Sequence, residues 1–313
     1  MAETQFQKAI FTASVSHNKA IGRHFFNLRL ELNSSAAEIF RKALPGQFAE
    51  LDLSRLALPA EEQIPDELSE CSQRQIILRR PFSFTNIEYS GGKAILEILY
   101  CVLGPATLRM KTLKPSDKIN LIGPLGNGFK ISSDKKLAIL VAGGMGAPPL
   151  QHLAKELKDK CPGTETIVFA GAKDVLQLPY YNIKLEKISK EPAFILDEFA
   201  KHNVKALIST DDGSAGFKGF VTEMLKNWLK AKKPDSGKTI IYACGPEAMM
   251  SNVAAISSEF NIPCQVSLER MMACGTGLCQ GCAVRCINKQ TKETGYKLCC
   301  KDGPVFWADE VVW

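Results

Sequence analysis

The sequence predicts a multidomain β plus α/β chain in three parts, and three observations carry that prediction. Alternating apolar runs broken by Gly, Pro, Asn and Asp fill residues 1–130, as an antiparallel barrel or sandwich requires. Strand, glycine turn and helix alternate over residues 131–265, the pattern of a doubly wound parallel sheet. Residues 266–313 form a small Gly- and Cys-rich module, too short to build an apolar core alone.

The elements follow in order. KAIFTASVSH, FFNLRLEL, GQFAELDL, AILEILYCVL and KINLIGPL read as strands of the first part. Helical periodicity is rare there, and the acidic, proline-containing stretch from Ser54 to Gln75 reads as an excursion between two strands. LAILVAGG is a continuous apolar strand of the kind buried on both faces, followed by the turn MGAP and the amphipathic helix PLQHLAKELKDK. TETIVFAGA, VKALIST and KTIIYACG read as further strands, GFVTEMLKNWLKA and PEAMMSNVAAISSEF as helices.

Composition excludes several classes. With 313 residues, 45% hydrophobic and 23% charged, the chain has the make-up of a soluble protein of two or three domains. No apolar run approaches the roughly 20 residues of a membrane span. A net charge of +6, dispersed in pieces such as KELKDK and KNWLKAKK, reads as solvated helix faces and excludes a nucleic-acid groove. The polar opening MAETQFQKAI and the many scattered cysteines point to a reducing, cytoplasmic setting.

The most specific motif is Cys274, Cys279 and Cys282, a C-x4-C-x2-C run followed by a fourth thiol at Cys299 or Cys300. That is the plant-type ligand spacing of a [2Fe–2S] cluster. Gly275, Gly277 and Gly281 are expected to let the backbone curl around the inorganic core. Zinc prefers paired short Cys spacings or a Cys/His set, which this run does not supply. The module's fold is expected to come from the cluster itself.

Three weaker motifs accompany it. Gly143-Gly144-Met145-Gly146-Ala147-Pro148 joins a parallel strand to a helix, where glycines admit a pyrophosphate to the helix N-terminus, although G-x-G-x-x-G is not matched. Cys244-Gly245-Pro246 ends another strand on the same ligand-binding edge, and is equally explained by a proline-started helix. Thr210-Asp211-Asp212-Gly213-Ser214 serves as well as a polar turn. In the β part, Arg79-Arg80-Pro81-Phe82-Ser83 offers a phosphate-binding fork, an aromatic ring and a hydroxyl. Gly123 to Phe129 reads as a turn-rich corner into the second part.

Taken in order, RRPFS, the turn from Gly104 to Thr107, GPLGNGF, GGMGAPPL, TDDGS, CGPEAMM and CGTGLCQGC with KDGPVF resemble the ferredoxin-reductase superfamily. Within it, the resemblance is to iron–sulfur electron-transfer subunits of heteromeric, NAD-linked dihydroorotate dehydrogenases, over residues 8–313. It implies an N-terminal Greek-key FAD barrel, a central NAD domain and a C-terminal [2Fe–2S] module. Arg80, Pro81, Phe82 and Ser83 would line FAD, with Arg80 on the pyrophosphate and Phe82 against the flavin. Tyr100, Ala106 and Thr107 match further FAD positions, although the usual Gly-x-Gly-Thr reads Gly-Pro-Ala-Thr and Cys101 replaces a basic residue. Gly144, Gly146, Cys244, Gly245 and Pro246 fall in the nicotinamide-nucleotide site. Cys274, Cys279, Cys282 and Cys300 match the cluster ligands, Cys300 because one residue separates it from DGP.

The resemblance also implies an FMN-containing dihydroorotate-oxidising partner in a heterotetramer, in pyrimidine biosynthesis. Its electrons would pass through [2Fe–2S] and FAD to NAD⁺, with no acid–base catalytic residue in this chain. Related bifurcating and NAD(P)H–ferredoxin oxidoreductase subunits share the architecture. A zinc-stabilised nucleotide-binding module is the non-enzymatic alternative. A partner-facing patch is expected at Phe306, Trp307, Val311, Val312 and Trp313.

Overall fold

A computed structural model describes residues 9–22, 24–185 and 194–313. The polar opening segment lies outside the described residues.

The first part is a curled seven-stranded antiparallel sheet with short helices. In chain order it holds β1 (Ala9–Ile21), β2 (Phe25–Leu32), α1 (Ser34–Phe40), β3 (Phe48–Leu51), α2 (Asp66–Ser72), β4 (Arg80–Ser83), β5 (Asn86–Ser90), β6 (Lys93–Cys101), α3 (Pro105–Met110) and β7 (Lys118–Leu125). The strand order β4-β3-β7-β1-β2-β6-β5 leaves β4 and β5 as edges, so the sheet is a half-barrel. Period-two alternation builds its core: Leu28, Leu30 and Leu32 of β2 and Leu96, Ile98 and Tyr100 of β6 are buried together. The excursion from Ser54 to Gln75 has a job here. Leu56, Leu58, Ile64 and Leu68 pack on this core, and the buried Arg109 of α3 donates to the Ser72 carbonyl at 2.8 Å.

The second part comprises β8 (Leu137–Gly143), α4 (Ala147–Lys160), β9 (Glu165–Ala172), β10 (Ile183–Leu185), β11 (Phe194–Leu196), α5 (Asp197–Ala200), β12 (Lys205–Thr210), β13 (Phe217–Lys218), α6 (Val221–Lys232), β14 (Thr239–Cys244), α7 (Glu247–Glu259) and β15 (Cys264–Ser267). Strands β12, β9, β8, β14 and β15 are parallel neighbours. Their near-unbroken apolar character fits burial on both faces. The sheet is mixed at its rims, because β10 and β11 run antiparallel.

The cysteine module holds the hairpin β16 (Ala283–Ile287) and β17 (Thr294–Leu298), then β18 (Val305–Trp307). Strand β18 adds antiparallel to β15, extending the central sheet. Cys282, Val284, Cys286, Cys299, Phe306 and Val311 share one core with Ile241, Val253 and Val266. The expectation that a cluster alone must shape this module is therefore corrected: borrowed apolar surface does much of it.

Two joints hold the parts together. The corner Gly123–Phe129 is pinned to the cysteine module by Asn127, whose backbone N–H donates to the Gly303 carbonyl at 2.5 Å and whose side-chain amide donates to the Lys301 and Asp302 carbonyls. Phe129 packs edge-on against Tyr242 of β14 at 5.5 Å. Lys155 of α4 reaches Asn86 Oδ1 and the Ile87 carbonyl, both at 2.8 Å, tying the central part to β5.

Candidate functional site

Strand β4 carries Arg80-Pro81-Phe82-Ser83 on an open edge, all four half-buried. It pairs with β3 in the register Leu51–Arg80, Glu50–Pro81, Ala49–Phe82 and Phe48–Ser83. Residues opposite one another share a face, so Arg80 and Phe82 lie with Ala49 and Leu51, and Pro81 and Ser83 with Glu50 and Phe48. The two arginines are not equivalent. Arg79 donates to Asn120 Oδ1 at 2.5 Å and lies 3.7 Å from Asp52, whereas Arg80 reaches only the carbonyls of Leu78 and Arg79. Arg80 can thus turn to an anion at little cost.

Phe82 meets Tyr100 edge-on at 6.5 Å. Tyr100 is 1% exposed, stacks on Phe26 and donates its hydroxyl to Asn18 Oδ1. Its ring stands behind Phe82 in the core. Thr107 caps α3, accepting the N–H groups of Leu103 and Gly104, and Ala106 is buried beneath the same turn.

On the central sheet, two strand ends pack against each other. A Cβ at Gly146 would fall 1.9 Å from the Cys244 carbonyl oxygen, and one at Gly143 2.6 Å from Met249 Sδ. Gly245 (φ 158°) lies equally close to Gly143, and Pro246 precedes α7. Packing of the chain on itself demands these glycines. Gly144 differs, having φ 47° and open space at the Cβ position. It can face a ligand. Burial pushes the Cys244 thiol up to about 12, so it stays protonated at neutral pH. The segment from Thr210 to Ser214 is a self-bonded polar turn, with Ala215 donating to Thr210 Oγ1 and Ser214 to Asp212 Oδ1.

The cysteine loop wraps its own sulfurs. Thr276 and Cys279 both donate backbone N–H groups to Cys274 Sγ at 3.4 Å, and Cys300 donates its N–H to Cys282 Sγ at the same distance. Burial raises the Cys274 thiol, but the N–H groups of Cys279 and Thr276 outweigh it and hold the group at about 5, favouring the thiolate a metal needs. Gly275 and Gly277 take left-handed φ of 65° and 90°. The third such position falls on Gln280 (φ 60°), not on Gly281 as expected. Cys299 and Cys300 are both buried and both interact electrostatically with Cys282, but Cys300 does so with Cys274 as well, whereas Cys299 turns its sulfur to the Leu268 carbonyl at 3.4 Å. Among the described residues no three His, Cys, Asp or Glu side chains converge on one ion. A two-iron core places only two thiolates on each iron, so it needs no such convergence.

Glu50 was not singled out by the sequence. It is fully buried, neither carboxyl oxygen has a hydrogen-bond partner, and its side chain abuts Gly275 of the cysteine loop. Burial pushes it up to about 7, opposed by Arg79 and Arg80 and helped by Cys274. The one available signal was its place two residues from Phe48 within an otherwise apolar strand.

Part of the expected terminal patch folds back, while Trp313 stays 38% exposed. Phe306 and Val311 are buried, Trp307 is half-buried under Lys289, and Trp313 donates its indole N–H to the Ala308 carbonyl at 3.0 Å. Met271 and Leu278, beside and within the cysteine loop, stand exposed at 93% and 84%. Among the described residues no helix is long and apolar enough to cross a membrane.

Known proteins share this arrangement. The family "Iron-sulfur cluster binding domain of dihydroorotate dehydrogenase B" matches residues 269–312, and "Oxidoreductase NAD-binding domain" matches 140–255. The dihydroorotate dehydrogenase B (NAD(+)) electron transfer subunit of Desulforamulus reducens is 33% identical over 89% of this chain and 90% of its own. That of Caldanaerobacter subterraneus subsp. tengcongensis is 31% identical over 96% and 97%. The solved NADH-dependent reduced ferredoxin-NADP oxidoreductase, studied for flavin-based electron bifurcation, superposes with a TM-score of 0.70 at 26% identity, covering 100% of this chain and 92% of that one. A Neisseria gonorrhoeae ferredoxin NADP+ reductase with bound FAD and NADP shares the fold, at a TM-score of 0.56 and 15% identity over 80% and 91%. By descent and by fold, the chain belongs to the electron transfer subunits of NAD-dependent dihydroorotate dehydrogenase B, as an oxidoreductase subunit with iron–sulfur and NAD-binding regions.

Proposed function

We propose that this subunit carries electrons from a dihydroorotate-oxidising, FMN-containing partner to NAD⁺ in pyrimidine biosynthesis, as part of a cytoplasmic heterotetramer. Residues up to 130 serve FAD, 131–265 the nicotinamide nucleotide, and 266–313 the [2Fe–2S] cluster. The observation that carries the reading is the seating of the cysteine loop on β3, the strand paired with Arg80–Ser83. When bound, the cluster would supply one-electron transfer and FAD would supply two-electron hydride chemistry toward the nicotinamide.

The chain's own residues prepare the sites. Arg80 meets the FAD pyrophosphate, Phe82 lies against the flavin with Tyr100 bracing it, Pro81 stiffens the edge strand, and Ser83 offers its hydroxyl. Ala106 and Thr107 shape the capped turn beside it. Gly144 opens the strand end to the nucleotide, while Gly146, Cys244, Gly245 and Pro246 build the wall behind it. Cys274, Cys279, Cys282 and Cys300 ligate iron, and loop N–H groups stabilise the Cys274 and Cys282 thiolates. Met271 and Leu278 face the partner from beside the cluster.

The test is direct. The chain co-expressed with its catalytic partner should show flavin and [2Fe–2S] bands together and reduce NAD⁺ on addition of dihydroorotate. A metal content of zinc without iron, or NADH-dependent ferredoxin reduction without dihydroorotate turnover, would defeat the reading.

A further inference from the structure

Resting on the cofactor reading above, we propose that Glu50 is a positioning residue that sets the cluster loop against the flavin-binding strand. It stands in the middle of β3, and alternation turns Phe48 and Glu50 away from the half-barrel core that Ala49 and Leu51 enter. On that outer face its cross-strand neighbour is Pro81, inside the flavin-binding tetrapeptide. Its opposite flank meets Gly275, the residue after the first cysteine ligand. An atom added at the Gly275 Cβ position would lie 2.5 Å from Glu50 Cγ and 2.6 Å from Oε1. One residue therefore lies between both redox segments, paired to one and packed against the other.

The choice of residue is physically costly unless position matters. A carboxyl group with both oxygens buried and without hydrogen-bond partners is unfavourable, and an apolar side chain would fill the same volume without that penalty. Contact with Gly275 is steric and is made in either charge state. Gly275 must be glycine for two separable reasons, its left-handed φ of 65° and the space Glu50 takes. Only the second disappears when Glu50 is shortened.

That separation defines a double-mutant cycle on the full chain, reconstituted with iron, sulfide and FAD. Cluster loss is read as bleaching of its visible band under a chelator, and cluster environment by its electron paramagnetic resonance g-values after reduction. Gly275→Ala should shorten the bleaching half-life by about tenfold or more, and Glu50→Ala in the same chain should recover the part of that loss owed to the clash, leaving the part owed to the left-handed φ. Glu50→Gln, which keeps the shape, should keep the wild-type g-values, whereas Glu50→Ala should shift them while flavin content stays at the wild-type level. Additive effects in the cycle, or unshifted g-values in Glu50→Ala, would overturn the proposal and leave the cofactor reading intact. If Glu50→Ala is too unstable to load, Glu50→Ser serves the same cycle. A wild-type chain that takes up no iron would overturn the cofactor reading and this inference with it.

Discussion

Replacing Gly146 with alanine should damage the central sheet rather than weaken nucleotide binding alone. The new Cβ would sit 1.9 Å from the Cys244 carbonyl oxygen, 2.2 Å from its carbon and 2.7 Å from the Gly245 nitrogen. Comfortable non-bonded separations are about 3.5 Å or more, so the two strand ends must part by roughly 1.5 Å. They cannot slide to accommodate this, because β8 and β14 are paired residue by residue from Leu137–Thr239 to Ala142–Cys244. Overpacking a core costs about 1–3 kcal/mol, and the clash with backbone places this variant at the upper end. About 3 kcal/mol is roughly 150-fold in the folding equilibrium. Urea unfolding of the apoprotein followed by tryptophan fluorescence is a suitable assay, since Trp228 packs on Phe169 of β9 and Trp307 lies in β18 of the same sheet. Gly144→Ala is the control. It meets open space and should cost only the roughly 1–2 kcal/mol of a left-handed alanine, while raising the KM for NADH. A Gly146→Ala protein with wild-type unfolding and a raised KM would refute the packing reasoning and return Gly146 to the ligand cleft.

Three further outcomes are expected. Cys300→Ser should lose most iron while Cys299→Ser keeps it, since a serine hydroxyl can still donate to the Leu268 carbonyl; equal iron loss would remove the distinction. Arg80→Ala should shed FAD on dialysis while retaining NADH binding, because a methyl group cannot replace a charge-assisted fork on pyrophosphate, and full flavin retention would make Arg80 a surface residue only. His152 is buried with Nδ1 unpartnered, and burial, aided by Lys155 and Lys160, lowers it to about 3. The folded chain then stays unprotonated there while the unfolded chain takes up a proton below its ordinary value of 6.5. Stability should fall as pH drops from 6.5, by about 2 kcal/mol at pH 5 from this group. His152→Gln should remove that part of the slope in apoprotein urea titrations, and an unchanged slope would show that the imidazole is not held neutral.

The sequence by itself determined the order and type of the main elements. Period-two runs such as FFNLRLEL and continuous apolar runs such as LAILVAGG encode how many faces of a strand are buried, which is local information. Cysteine spacing was likewise local, because adjacent thiolates must reach one cluster from one loop. Short elements were not legible: α1 and α3 are one to two turns long, and β18 gains its identity only by pairing with β15. Tertiary structure alone decided which glycines serve packing and which face open space. It also buried Phe306 and Val311, which look exposed in sequence, because core surface of the central sheet was available to them, while Trp313 stays 38% exposed. Glu50 marks the same boundary. Its carboxyl lies between two segments more than 190 residues apart in the chain, from Pro81 to Gly275, and no local pattern can announce a contact made only when the first part and the cysteine module close together.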